Sequence, residues 1–287
     1  MIIDVHTHIP THRGPVPKDE MRWNLQNRPD QPARLTSSWD EYDAAFAAAD
    51  VDVSIVFDIA RWTPGVDQRT FNDPTAAFAA QAPKKRIGFM AVHPLAPGVL
   101  DEIERCVNVL GLKGIKLGPN YQNFDPLGPE AERVFADAER RALPIVFHQG
   151  TSPIPDAPLR YTQPLLMDEI AMRHPELRIV MAHMGHPWQP DTIAVIRKHP
   201  NVYADVSGLF YRPWSFWHGM RLATEWNVLH KLLYATDWPI IEPVENLAGL
   251  RRVNDVIRGT SIPPVPEQAI EDIIHRDSLA LLGLAHP

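Results

Sequence analysis

The chain has 287 residues, 45% of them hydrophobic and 22% charged, with a formal net charge of −7. That composition supplies ample apolar mass for a core, and a single α/β barrel reaches this length routinely. The acidic balance, with no Lys/Arg cluster to offset it, argues against a nucleic-acid partner, and the lone Cys106 excludes an internal disulfide framework or a cysteine metal cluster.

No apolar run approaches the ~20 residues that cross a bilayer. The chain also opens on a strand pattern rather than a charged-then-apolar leader. A cytoplasmic protein with no membrane partner is expected.

The first element is the apolar run Met1-Ile2-Ile3, which leads through Asp4 and Val5 into His6-Thr7-His8. Side chains alternate along a strand, so residues i and i+2 face the same way and the two imidazoles converge. The stretch from Ile9 to Ser38 holds five prolines and little periodicity. A loop of that length is functional or disordered, and its attachment to His8 predicts a lid over the pocket mouth, packed partly by Trp23.

Ser37 or Ser38 then caps a helix over Trp39–Ala49. Strand and helix alternate from there: strand Val51–Phe57, helix Asp73–Gln81, strand Arg86–Val92, helix Pro97–Val109, strand Leu112–Leu117 and helix Pro129–Arg141. The pattern continues with strand Pro144–His148, helix Pro164–Arg173, a strand ending at His183, helix Pro190–Lys198 and strand Asn201–Val206. Helix Trp214–Glu225, a strand ending at Asp237 and helix Val244–Ile257 follow, and residues 267–287 read as a helical closure. Eight alternations with near-continuous apolar strands predict a parallel sheet closed as a (β/α)8 TIM barrel, one domain over residues 1–287.

Three further ligand-type residues share one grammar: a short β-prone run, then a His or Asp where the strand gives way to a loop. They are His148 after Pro144-Ile145-Val146-Phe147, His183 after Ile179-Val180-Met181-Ala182, and Asp237 after Leu232-Leu233-Tyr234-Ala235-Thr236. In a parallel barrel the C-terminal strand ends converge on one face, which carries the active site. Independent core histidines would not keep choosing that position, so metal binding is the better reading. On the same face Arg61 follows strand 2, Tyr121 and Gln122 follow strand 4, Tyr211, Arg212 and Trp214 follow strand 7, and Trp238 abuts Asp237. Arg61, Tyr121, Tyr211, Arg212 and Trp238 are the candidate substrate contacts, an Arg fork being suited to a carboxylate. His186 reaches the pocket rim or caps a loop.

These segments bring out a resemblance. Asp4-Val5-His6-Thr7-His8, Gly114-Ile115-Lys116-Leu117, Pro144 to His148, Met181-Ala182-His183-Met184-Gly185 and Ala235-Thr236-Asp237-Trp238-Pro239 stand in the order found in the amidohydrolase superfamily. More narrowly, the chain is similar to the amidohydrolase-related group that includes aminocarboxymuconate-semialdehyde decarboxylase, resorcylate-type decarboxylases and lactone hydrolases. One departure is Asp277, where relatives often carry an Asn before the closing Leu-rich helix.

The resemblance implies that His6, His8, His148 and Asp237 hold one divalent metal, zinc first and manganese as the alternative. Such a site lowers the pKa of a bound water from ~15.7 toward ~7. It also implies that Asp237 both ligates and accepts a proton, while His183 is the acid–base group; the alternative for His183 is a satisfied buried histidine. Lys116 stands where binuclear superfamily members carry a carboxylated lysine, so it is either a second-metal ligand or an ammonium facing an acidic substrate.

The expected activity is attack of metal-activated water on a lactone, ester or amide carbonyl of a small carboxylate-bearing molecule. Nonoxidative decarboxylation of an aromatic or enoic acid on the same residues is the alternative. A small-molecule substrate is thus the expected partner, and a homodimer is admitted as an assembly.

Overall fold

A computed structural model describes residues 1–10, 37–58 and 64–287. The expected lid therefore lies outside the described residues except at its two ends, and Trp23 and Arg61 lie outside them altogether.

Among the described residues nine parallel strand segments carry the fold: β1 (Ile3–His8), β2 (Val53–Phe57), β3 (Arg86–Gly88), β4 (Met90–Ala91), β5 (Ile115–Leu117), β6 (Ile145–Phe147), β7 (Ile179–Met181), β8 (Val202–Asp205) and β9 (Leu232–Leu233). They fall into two runs, β1-β2-β3 and β4 through β9. Phe89 N donates to Val56 O at 2.9 Å and Met90 N to Gly114 O at 2.8 Å, so β3 and β4 are one strand that changes partner at Phe89. The other seam closes where Val5 N donates to Tyr234 O (3.1 Å), Asp237 N to His6 O (2.9 Å) and His8 N to Trp238 O (2.8 Å). The result is an eight-stave parallel TIM barrel. Every strand residue is buried, which is why these strands read as apolar runs rather than alternations.

Two apolar layers follow from this closure. Ile3, Val5, Val53, Ile55, Phe89, Val180 and Leu233 fill the barrel interior, and Leu279 and Leu282 from the chain's end join them. A larger layer packs the outer face of the strands against the helices, from Tyr42 and Phe46 round to Ile270 and Ile274.

The first described helix, Trp39–Ala48, starts in a capping box: Ser38 Oγ accepts from Glu41 N and Glu41 Oε2 accepts from Ser38 N. The second starts at Arg69 rather than Asp73; Gln68 is its N-cap, and Asp67 Oδ1 just before it accepts from Arg69 N at 3.1 Å. A short helix at Pro119–Gln122 was not predicted; it follows β5 and carries Tyr121. Strand β7 stops at Met181, so His183 lies in the tight turn Ala182–Gly185 beyond it.

Candidate active site

The site begins at an irregularity in β1. Ile3 and Asp4 pair with Val53 and Ser54, while Thr7 and His8 pair with Val56 and Phe57. Val5 and His6 therefore stand opposite Ile55 alone, a β-bulge that re-aims side chains. Val5 stays in the apolar interior, and His6 beside it is turned onto the polar cluster. Thr7 points the other way, its hydroxyl donating to Ile55 O at 2.8 Å and meeting Tyr42 OH at 3.0 Å.

Asp237 closes the first cluster. Its Oδ1 lies 3.0 Å from His8 Nε2 and 3.3 Å from His6 Nε2. The residue has φ +64°, a conformation that a non-glycine residue keeps only where its surroundings impose it. Here its N–H is held by His6 O. The other ring nitrogen of His6, Nδ1, is 2.9 Å from Asp205 Oδ2. With Nδ1–H donating to Asp205, Nε2 is left to face Asp237 Oδ1, the disposition of two ligand atoms toward one cation. His6, His8 and Asp237 offer three ligand atoms within 4.8 Å of one another, and Asp205 stands to His6 as an outer carboxylate stands to an imidazole that it orients. This donor set fits a divalent ion. His148 is 5.2 Å from His183, ring to ring, with Nε2 3.3 Å from Thr151 O, and stands outside that three-residue cluster.

Charge states follow from burial among these neighbours. Burial alone would raise the Asp237 carboxyl, but His6 and His8 reverse this and hold it well below its ordinary value. Asp205 is lowered in the same way, against burial, by His6 and then His183. For His6, burial and Lys116 press downward, yet Asp205 and Asp237 prevail and raise it. Lys116 is fully buried, its Nζ 3.3 Å from His6 Nε2 and 4.8 Å from the centre of the Phe57 ring. Burial brings its ammonium down to about 8. Burial also lowers His148 and His183, which favours their neutral forms.

His183 is fixed by a chain that starts at Asp205. His183 and Met184 are consecutive left-handed residues, at φ 58° and 47°. Asp205 Oδ1 accepts from His183 N (2.9 Å), from Ser207 N (3.1 Å) and from Ser207 Oγ. Ser207 Oγ is 2.8 Å from His183 Nδ1. Because the serine proton goes to the carboxylate, Nδ1 must be the donor in that contact, and Nε2 carries the lone pair. Sequence reasoning passed over Asp205 and Ser207. The signal was present, since Val202-Tyr203-Ala204-Asp205 repeats the strand-then-carboxylate pattern that identified Asp237.

His148, His183 and Asp237 share a pocket with His186, Tyr211 and Arg212. Arg212 Nη1 donates to Gly208 O at 3.1 Å, and the guanidinium lies 4.5 Å from the centre of the Tyr211 ring. His186 Nδ1 meets Gln189 Nε2 at 3.0 Å and Ser215 Oγ at 3.1 Å; burial, then Arg212, brings this imidazole down to about 4. Tyr121 packs on His148, with 4.6 Å between ring centres. Gln122 is committed to the backbone, donating to Val92 O and accepting from Gly118 N.

Trp238 corrects an expectation. It is 1% exposed, with its ring edge-on to Tyr42 and Phe46. It is a packing residue under the first described helix: beyond β9 the chain turns at Asp237, φ +64°, so that Asp237 lines the pocket while Trp238 packs against Tyr42 and Phe46. Trp214, by contrast, is 59% exposed on the helix Pro213–Glu225.

A family model described as Amidohydrolase matches residues 3–284. Among solved structures, the chain is similar to an uncharacterized TIM-barrel protein from Bordetella bronchiseptica, with TM-score 0.72 and 19% identity, covering 98% of this chain and 99% of that one. It is also similar to 5-carboxyvanillate decarboxylase from Sphingomonas paucimobilis, with TM-score 0.67, 17% identity and 99% of each chain covered. A third is a probable 2-pyrone-4,6-dicarboxylic acid hydrolase from Acinetobacter baumannii with citric acid bound, at TM-score 0.66, 14% identity and 99% of each chain. At these identities the likeness is one of fold. Among the described residues no helix is long and apolar enough to cross a membrane.

Proposed function

The chain belongs to the amidohydrolase family, whose members are metal-dependent enzymes, and from that premise we propose that it hydrolyses a lactone, ester or amide carbonyl of a small carboxylate-bearing molecule. The observation that carries this reading is the set of proton acceptors around the pocket. Asp237 is held ionised, and the Asp205–Ser207 chain leaves His183 Nε2 with its lone pair. Both can take a proton from water, the step that hydrolysis requires first.

His6, His8 and Asp237, with His148 beside them, would hold the ion; nitrogen and oxygen donors suit zinc, and manganese is the alternative. When bound, such an ion supplies Lewis acidity that brings the pKa of water toward ~7. The chain's own residues do the rest. One proton passes from the water to Asp237 and on to His183 Nε2 as the water oxygen bonds to the carbonyl carbon. The bond from that carbon to the leaving oxygen or nitrogen then breaks, and His183 returns the proton to the leaving atom. Arg212 holds the substrate carboxylate by a charge-assisted hydrogen bond. The carboxylates in the names of the decarboxylase and hydrolase neighbours agree with that anchor.

Decarboxylation is the second reading, and Lys116 is the observation that favours it. Its ammonium, brought to about 8 and 3.3 Å from His6, is an acid able to protonate a carbanion. A panel of lactones and aromatic acids, assayed on metal-loaded wild type and His183→Ala, separates the two. Lactone opening that disappears in His183→Ala supports hydrolysis. Carbon dioxide release from aromatic acids, with no lactone opened, sinks it.

A further inference from the structure

Gln149 follows His148 directly and lines the same pocket. Its side chain is fully buried, and among the described residues neither its amide oxygen nor its amide nitrogen has a hydrogen-bond partner. A carboxamide removed from water and left unpaired destabilises the fold that carries it.

The backbone on either side is held firmly, so this is not slack in a loose loop. His148 N donates to Leu117 O at 2.8 Å, Gly150 N to Thr162 O at 3.1 Å and Thr151 N to His186 O at 2.7 Å. Thr162 Oγ1 adds a bond to Gly150 O at 2.6 Å. Gly150 has φ +91°, and a Cβ there would come within 2.1 Å of His186 O. Only glycine permits that approach. The Gln149 loop is thereby fastened to the turn that carries His183, and the amide is held in the pocket wall, where a bound molecule can satisfy it.

We propose that Gln149 is a specificity-determining residue that hydrogen-bonds a hydroxyl of a carboxylate-bearing ligand, whose carboxylate lies against Arg212. A carboxamide offers an N–H donor and a C=O acceptor side by side. A hydroxyl both donates and accepts and so satisfies both, whereas a carboxylate only accepts. The inference rests on the hydrolytic reading and narrows it: opening a lactone leaves a carboxylate and a hydroxyl on one molecule, so a hydroxycarboxylate is the product side of that reaction.

Malate and succinate differ by one hydroxyl and serve as probes. Calorimetric titration of each into metal-loaded wild type and Gln149→Leu is paired with thermal unfolding of both proteins without ligand. Wild type should bind malate about tenfold more tightly than succinate, the size of one good buried hydrogen bond. Gln149→Leu should bind both at the succinate level, and its melting temperature should hold or rise because the unpaired amide is gone.

The proposal is overturned if Gln149→Leu keeps the malate preference, since the metal would then be reading the hydroxyl. It is overturned equally if wild type shows no preference or binds neither acid. A variant that melts several degrees lower, or fails to fold, would make the amide structural and also overturn it. Because the readout is binding, the two readings fail separately. Intact malate preference with no lactone opened removes only the hydrolytic reading, and lactone opening without the preference removes only the role of Gln149.

Discussion

The two ends of the barrel interior are equally dry and chemically opposite. Toward the chain's C-terminal segment, Ile3, Val53, Val180 and Leu233 pack with Leu279 and Leu282, all below 5% exposure. At the strand ends, His6, Lys116 and Asp205 are at 1%, 1% and 0%. Burial alone therefore does not distinguish structure from site. Among aliphatic side chains burial removes apolar surface from water, and fit decides the outcome. Among ionisable ones it strips solvation, so each charge is set by its neighbours. Lys116 falls to about 8 by burial, while Asp237 stays ionised against burial because His6 and His8 outweigh it.

That contrast is tested first at the polar end. Purified wild type should carry about one divalent ion per chain by elemental analysis, and His6→Ala or Asp237→Ala should lose it together with essentially all activity. Full occupancy in both variants would remove the metal centre; occupancy near two, lost in Lys116→Ala, would make it binuclear. Next in size is His183→Ala, which should keep its metal yet lose roughly 10²- to 10⁴-fold in turnover number. His183→Asn should stay crippled, since an amide does not titrate. Turnover within a few-fold of wild type, or loss of the metal, would each contradict the role given to His183.

The apolar end should answer in a different currency. Leu282→Ala is expected to lower unfolding free energy by about 2–5 kcal/mol in denaturant melts, with metal content and turnover at permissive temperature unchanged. A drop in metal content would show that the two ends are coupled. The smallest expected effect is at Asp205, which touches His6 and His183 but is not itself in the three-residue cluster nearest Asp237. Asp205→Asn should weaken metal affinity or activity about 10- to 100-fold, read by competition with a chelator. An unchanged affinity and turnover would leave Asp205 a purely structural group.

Much of this was legible in the chain because the physics concerned is local. Closure of a parallel barrel buries both faces of each strand, and the apolar runs at Val53–Phe57, Ile145–Phe147 and Ile179–Met181 record that burial in their composition. The C-terminal strand ends must converge in such a barrel, so His6, His8, His148, His183 and Asp237 could be assigned to one face before any contact was known. Alternation also placed His6 and His8 on the same side.

What the sequence left open depends on partners distant in the chain. The bulge at Val5-His6 exists because Ile55 stands alone opposite two residues, and no local pattern in β1 records that. Asp205 matters through bonds to residues 199 and 22 positions away, so its strand-end position was readable while its role was not. Trp238 and Asp237 are neighbours, yet one packs beneath a helix and the other faces the pocket. Composition and periodicity determined the barrel and the face that bears the chemistry, because apolar burial is encoded residue by residue. Tertiary closure alone decided which nitrogen donates, which carboxylate stays charged and which amide is left unpaired, because those states are set by neighbours that only folding brings together.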